Sequence, residues 1–300
     1  MSLLDLLLEP FGFEFMVRAM AATTIAAVVC AVLSCWLVLI GWSLMGDAVA
    51  HAVLPGVVLA YLVGAPFALG ALAFGLLAVV LIGLVRDHSR VKEDAAIGIV
   101  FTSLFALGLV LVSVVPSQID LGHIVFGNVL GVSTGDLWQI GVLGAVALTL
   151  LIVKRRDLTL FAFDADHAHS IGISPRALSA LLLGLLALTA VVSLQIVGVV
   201  LVVALLIIPG ATAHLLTDRM SRMLVLAPVM AASCSIIGVY ASYYLDVAPG
   251  GAVVLVNAAL FVLVYLFAPH RGVFTRLVGR QLERRQREGG QKKSGLGVEA

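Results

Sequence analysis

Charge is scarce in this chain: only 12% of its 300 residues are Asp, Glu, Lys or Arg, while 62% are hydrophobic. Soluble domains run nearer a quarter charged and half apolar, so water is not the main solvent of this protein. Cysteine is also sparse, and Cys30, Cys35 and Cys234 all lie inside apolar runs, where free Cys behaves as a small hydrophobe. Only Cys30 and Cys35 are close, at a five-residue spacing that puts them on different helix faces, so no thiolate metal site is expected. No GxxxxGK[ST] phosphate loop occurs, which leaves the chain no visible means of hydrolysing ATP itself. A nucleophile elbow, an HExxH helix and a dinucleotide fingerprint are missing too, so neither an enzyme, a bound cofactor nor nucleic-acid binding is expected. The first residues, MSLLDLLLEPFGFEF, carry acids where a secretory signal has bases. Residues 1–13 are therefore expected to form a short amphipathic segment at a membrane interface, not a cleaved leader.

What the chain has in abundance is long apolar runs. A helix needs roughly 20 residues to cross a hydrocarbon core of about 30 Å. Runs over about 16–41, 43–63, 67–85, 95–115, 137–153, 177–194, 197–216, 223–244 and 250–268 meet that length. The expected fold class is therefore an all-α polytopic membrane protein with nine transmembrane helices within one domain, 14–268. Two joints, Gly41–Trp42 and Gln195–Ile196, lack a charged loop, so eight spans remain an alternative. From Arg271 the composition turns basic and then Gly-rich, which predicts a cytoplasmic, disordered tail over 269–300.

The basic residues are placed unevenly, and that placement predicts orientation. Seventeen of the 18 Lys and Arg fall in RDHSRVKED (86–94), between Lys154 and Arg176, in TDRMSR (217–222) or after Pro269; Arg18 is the exception. With nine spans these segments share one side, which the positive-inside rule makes cytoplasmic, with the C-terminus inside and the N-terminus outside. The opposite side receives VGAP (63–66), residues 116–136 and LDVAPGG (245–251), which carry acids and no Lys or Arg.

Ionisable residues within spans are costly, about 2.5–3.5 kcal/mol each on insertion scales, and so tend to face a bundle interior or a water-filled path. GWSLMGDAVAHAVLPG (41–56) holds two, Asp47 and His51, four residues apart. On a helix that spacing stacks both side chains on one face. A carboxylate oxygen and an imidazole nitrogen together suit manganese, iron or zinc better than magnesium, calcium or copper(I). The plainer reading is a hydrogen bond between Asp and His that ties helices together. Pro55 and Gly56 follow directly and are expected to loosen the helix and free carbonyls. His214, after a second expected break at Pro209 and Gly210, is a further ligand candidate, or an interfacial His at the cytoplasmic end. Asp120 and His123 in QIDLGHIVFGN, and Asp246 in YYLDVAPGG, are weaker candidates for a pore entrance, with solvated loop polarity as the alternative.

FAFDADHAHSIGISPRA (163–177) lies on the basic side. Asp164 is a suitable N-cap for a short helix through Ser170, and Gly172 a suitable terminator. A short capped helix at the membrane face suits docking to a partner. His167 and His169, two residues apart, do not share a helix face and predict no metal site.

Five blocks together resemble the permeases of bacterial ABC importers for manganese, zinc and iron: LMGDAVAHAVLPG, EDAAIGIVF, HIVFGNVLGV, FDADHAHSIGI and VGVVLVVALLIIPGATA. The resemblance covers about residues 14–268. It implies an ABC importer permease fold in the bacterial inner membrane, working as a dimer with a second permease copy. It also implies two ATP-binding subunits on the inner face and a metal-binding extracytoplasmic protein outside. By motif, Asp47 and His51 are similar to the family's pore ligands. Phe163, Asp164, Ala165, Asp166, His167, Ala168, His169, Ser170, Ile171 and Gly172 are similar to the coupling helix that enters an ATPase groove. The sequence departs at His214, where the family pattern more often holds Tyr or another uncharged residue. Manganese is the favoured cargo, then zinc, then iron, with Pro55, Gly56, Pro209 and Gly210 as pivots of alternating access. The competing classes are a proton-coupled secondary metal transporter and a non-transporting membrane scaffold.

Overall fold

The computed structural model describes residues 9–114 and 127–268 of the chain. Among them the regular elements are all helical, and nine spans are long and apolar enough to cross a membrane. A 3-10 turn over Glu9–Gly12 leads into α1 (Glu14–Ile40). The second span is divided into α2 (Ser43–Ala52) and α3 (Leu54–Val63), followed by α4 (Phe67–His88), α5 (Glu93–Val114) and α6 (Thr134–Val153). Two short helices, α7 (Arg155–Phe163) and α8 (Ala165–Ser170), then precede the last four spans. These are α9 (Pro175–Val197), α10 (Val199–Leu216), α11 (Met220–Leu245) and α12 (Pro249–Phe267). In hydrocarbon no water is present to satisfy backbone groups, so each segment closes its own hydrogen bonds as a helix.

The two uncharged joints are both made by glycine. Gly41 has φ 90°, and the N–H groups of Gly41 and Trp42 both donate to the Leu37 carbonyl, at 3.1 and 2.7 Å, which ends α1 and starts α2 two residues later. Between α9 and α10 the chain turns at Gly198, whose φ of 80° and ψ of 164° lie in a region open essentially to glycine alone. The expected joint at Gln195–Ile196 thus moves to Gly198, because neither Gln nor Ile takes that conformation. Nine spans, not eight, result among the described residues.

α1 is the centre of the bundle and packs against α6, α9, α10 and α11. The second span lies on the other side of α9 and α10, where α2 meets α4 and α5, and α3 meets α4 and α5. α12 covers α10 and α11. Of the most apolar 18 residues of α1 and of α9, 67% are buried, against 22% in α4, α6 and α12, so the latter carry the outward apolar surface that lipid covers. Close helix approach rests on small residues, as in membrane bundles generally. A Cβ on Gly56 of α3 would fall on the Gly70 carbonyl oxygen of α4, and one on Gly210 of α10 would lie 2.6 Å from the Ser34 hydroxyl of α1.

Contacts at the two ends agree with the alternation of spans. Near Gly41, the Trp42 ring sits 6.2 Å edge-on to Phe161 of α7, and the Trp36 indole N–H donates to Thr159 at 3.4 Å. This is the end that carries the Lys- and Arg-rich connections. At the other end Phe13 packs on Tyr243 at 6.0 Å, Phe11 on Tyr240 at 6.2 Å, and the Tyr243 hydroxyl donates to Glu9 at 3.3 Å. The segment before α1 therefore rests on the last turns of α11, away from the basic connections. All three cysteines are buried and free, as the packing reading expects.

Candidate functional site

α2 carries the Asp47 and His51 pair one turn apart. His51 Nε2 lies 3.3 Å from Asp47 Oδ1, and the side chains are 30% and 35% exposed respectively. Their neighbours Ala48, Val49, Ala50 and Ala52 are buried against the bundle, so the pair occupies the one open strip of an otherwise packed helix. The helix is interrupted at Val53, and Pro55 sits in the first turn of α3.

α5 contributes two residues that the sequence reading did not select. The His51 ring is flanked by Phe101 and Phe105, each with its centroid 5.3 Å away, and these two rings stack on each other at 6.0 Å. They are four residues apart on α5, and this F-x-x-x-F spacing was the available signal. The aromatic walls restrict rotation of the imidazole while leaving the pair's outer edge open. Chemically, one chain offers one hard oxygen donor and one nitrogen donor at the same point. Among the described residues no group of three or more His, Cys, Asp or Glu converges. A transition-metal ion held here would complete its shell from water or from another chain.

His214 does not join this pair. Leu206 of α10 is the residue that lies against Gly46 of α2. His214 is two helical turns further along, about 12 Å towards the basic end at 1.5 Å per residue. There it lines a pocket of about 220 Å³ with Thr217, Asp218, Arg219 and Arg222. Asp246 is the left-handed C-cap of α11, at φ 51°, its N–H donating to the Ser242 carbonyl, which is a helix-terminating role at the opposite end. Asp120 and His123 lie outside the described residues, as does the 269–300 tail.

Pro209 does not break its helix. α10 runs from Val199 to Leu216 with Pro209 inside it, and Thr212 returns its hydroxyl to the Ile208 carbonyl at 2.7 Å. Neighbouring helices and Ser/Thr side chains let membrane helices carry a proline without unwinding. α11 carries a comparable interior proline, Pro228, which the sequence reading passed over.

The segment after α7 folds as its residues direct. The Asp164 carboxylate accepts the His167 N–H at 2.8 Å, the helix ends at Ser170, and Gly172 follows at φ 86°. Ala168 alone is buried, and the Ile173 N–H returns to its carbonyl at 3.0 Å. Phe163 and Ile171, at the two ends of α8, are 65% and 55% exposed, so the short helix presents an apolar rim at the basic end.

Among the described residues, nine packed spans around a central helix, with a carboxylate and imidazole pair on an open strip of one of them, define a multi-pass helical membrane protein of the permease type. The chain belongs to the ABC 3 transport family, whose model matches residues 12–268. It is 48% identical to the manganese transport system membrane protein MntB of Synechocystis over 90% of this chain and 88% of that protein. It is 44% identical to the chelated iron transport system membrane protein YfeC of Yersinia pestis, over 94% and 96% of the two chains. Its fold is similar to a chain of PsaBC from Streptococcus pneumoniae in complex with Fab, with a TM-score of 0.82 and 36% identity over 90% of this chain and 98% of that one. The chain is thus a membrane subunit of a metal ABC transport system, as the five motif blocks imply.

Proposed function

We propose that this subunit lines the path of a divalent manganese importer and that Asp47 and His51 hold the ion transiently during passage. The observation that carries the reading is the pair itself: an oxygen and a nitrogen donor 3.3 Å apart, a third exposed, within a membrane span. Manganese is preferred because mixed O and N donors suit it and because the MntB relative is named for it. Iron is the second reading, supported by the YfeC relative. Two donors do not fill a metal's coordination shell, which supports a second permease copy facing the first across the path. Transport needs binding weak enough to release the ion, and an incomplete site per chain meets that need.

In this reading the energy comes from two ATP-binding subunits on the inner face, since the chain lacks a phosphate loop. α8, capped by Asp164 and rimmed by Phe163 and Ile171, is the element that enters them. A metal-binding protein delivers the ion from outside, and the C-terminus lies in the cytoplasm. Membership in an ABC family favours this mechanism over the proton-coupled and scaffold alternatives. The test is manganese, iron and zinc uptake in cells expressing the chain with its ATPase and binding protein. Asp47→Asn and His51→Gln variants that insert normally are expected to abolish uptake. Undiminished uptake, or uptake persisting without any ATP-binding partner, refutes the proposal.

A further inference from the structure

A second cavity lies on the opposite side of α1 from the Asp47 and His51 strip. It measures about 590 Å³ and is bounded by α1, the end of α6, the start of α7 and the start of α11. That volume is in the range of specific ligand sites, about 300–1,000 Å³. Its basic end is formed by Arg155 and Arg156, at the first turn of α7. Lys154, just before them, is engaged by Asp157 at 3.1 Å. Neither arginine has an ion-pair or hydrogen-bonding side-chain partner among the described residues. The other walls are apolar: Val32, Ile152, Leu224 and Val225. Val32 is eight residues before the end of α1, so the cavity reaches about 12 Å into the span from the basic end. Ile152 and Val225, which also line it, are 54% and 61% exposed, so the cavity opens onto the outer surface of the bundle.

From this juxtaposition we infer that the cavity is a site for an anionic phospholipid, its phosphate on Arg155 and Arg156 and an acyl chain against Ile152, Leu224 and Val225. Two cations at the level where α6 ends match a headgroup, and the apolar depth behind them matches hydrocarbon; basic pockets between membrane helices on the cytoplasmic side bind such lipids. A soluble anion would use the arginines and leave the apolar depth empty. A soluble partner subunit does not reach the depth of Val32. The elements that form the cavity are not those that carry the Asp47 and His51 strip, so a second copy meeting that strip does not cover it.

The test uses the delipidated full chain in neutral detergent, with added phosphatidylglycerol, phosphatidylcholine or inorganic phosphate, read by native mass spectrometry and by thermal midpoint. Phosphatidylglycerol is expected to be retained and to raise the midpoint. The Arg155→Gln/Arg156→Gln pair should lower its affinity by about 30-fold, from about fivefold per basic residue at an anionic surface. Arg90→Gln, a basic residue outside the cavity, should change nothing, and the Arg155→Lys/Arg156→Lys pair should keep part of the affinity, which separates loss of the site from loss of the fold. Equal retention of phosphatidylcholine, or unchanged phosphatidylglycerol binding in the Gln pair, overturns the inference. Displacement of the lipid by millimolar phosphate overturns the lipid in favour of a soluble anion, and a dimer that dissociates in the Gln pair identifies the groove as an interface between copies.

Discussion

A single methyl group at Gly56 should damage this protein more than its size implies. The Cβ of Ala would fall on the Gly70 carbonyl oxygen and lie 2.9 Å from the Phe74 Cβ, so the backbones of α3 and α4 have to part. Backbone cannot rotate away as a side-chain tip can, and overpacking of this kind costs about 1–3 kcal/mol. Replacing Gly in a helix by Ala returns about 1 kcal/mol of propensity, leaving a net loss of up to about 2 kcal/mol. The internal control is Gly75 on α4. A Cβ there would meet Val49 at 3.5 Å, Val53 at 3.6 Å and Ala187 at 3.7 Å, which is ordinary contact. Gly75→Ala should therefore hold or slightly raise stability while Gly56→Ala lowers it. For a chain of 300 residues, with an unfolding entropy of about 2.1 cal/mol/K per residue, about 2 kcal/mol corresponds to a fall in thermal midpoint of about 3 °C. The assay is thermal unfolding of the purified proteins in one detergent at one scan rate. Because α3 continues the span that carries Asp47 and His51, Gly56→Ala should also lower metal uptake at permissive temperature. Equal midpoints for the two variants would refute the argument that the α3 and α4 backbones are in direct contact.

Other substitutions probe the remaining elements. Gly198→Ala forces a side chain into a conformation that costs about 1–3 kcal/mol, and yield in the membrane together with the thermal midpoint should fall. Asp164→Ala removes the cap of α8, a loss of about 1 kcal/mol, and should leave the bundle's midpoint nearly unchanged while reducing transport-coupled ATP hydrolysis in the assembled complex. Intact coupling would remove α8 from the docking role. Phe105→Ala should free the His51 ring and weaken metal uptake through affinity, read as a raised half-saturation concentration with membrane abundance unchanged. Pro209→Ala should restore a helical N–H to α10; retained transport would show that Pro209 is not a pivot.

The regular elements were legible in the sequence because a membrane span is a local object. Length, apolar composition and backbone self-sufficiency are properties of about 20 consecutive residues. The nine runs accordingly became nine spans among the described residues, and the Asp164 cap formed as expected from one side chain and an N–H three residues on. The Asp47 and His51 pairing was legible for the same reason, since four residues on a helix is one turn. The joint placed at Gln195–Ile196 slipped to Gly198 because apolar runs on both sides hid the turn, and only the backbone conformation singles out the glycine.

Tertiary structure decided what no window of sequence contains. Which strip of α2 stays open, and that Phe101 and Phe105 of α5 enclose His51, depends on how helices more than 40 residues apart lie against each other. Within a bilayer that arrangement is set by close packing of small residues such as Gly56 on Gly70, not by hydropathy, because lipid is as apolar as the helices themselves. The same packing kept α10 continuous through Pro209 and carried His214 about 12 Å from the level of Gly46, separating residues that share a chemistry but not a place. Local residue pattern therefore determined the helices and the Asp47 and His51 pairing, and contact between distant helices decided that this pair stays open and which rings flank it.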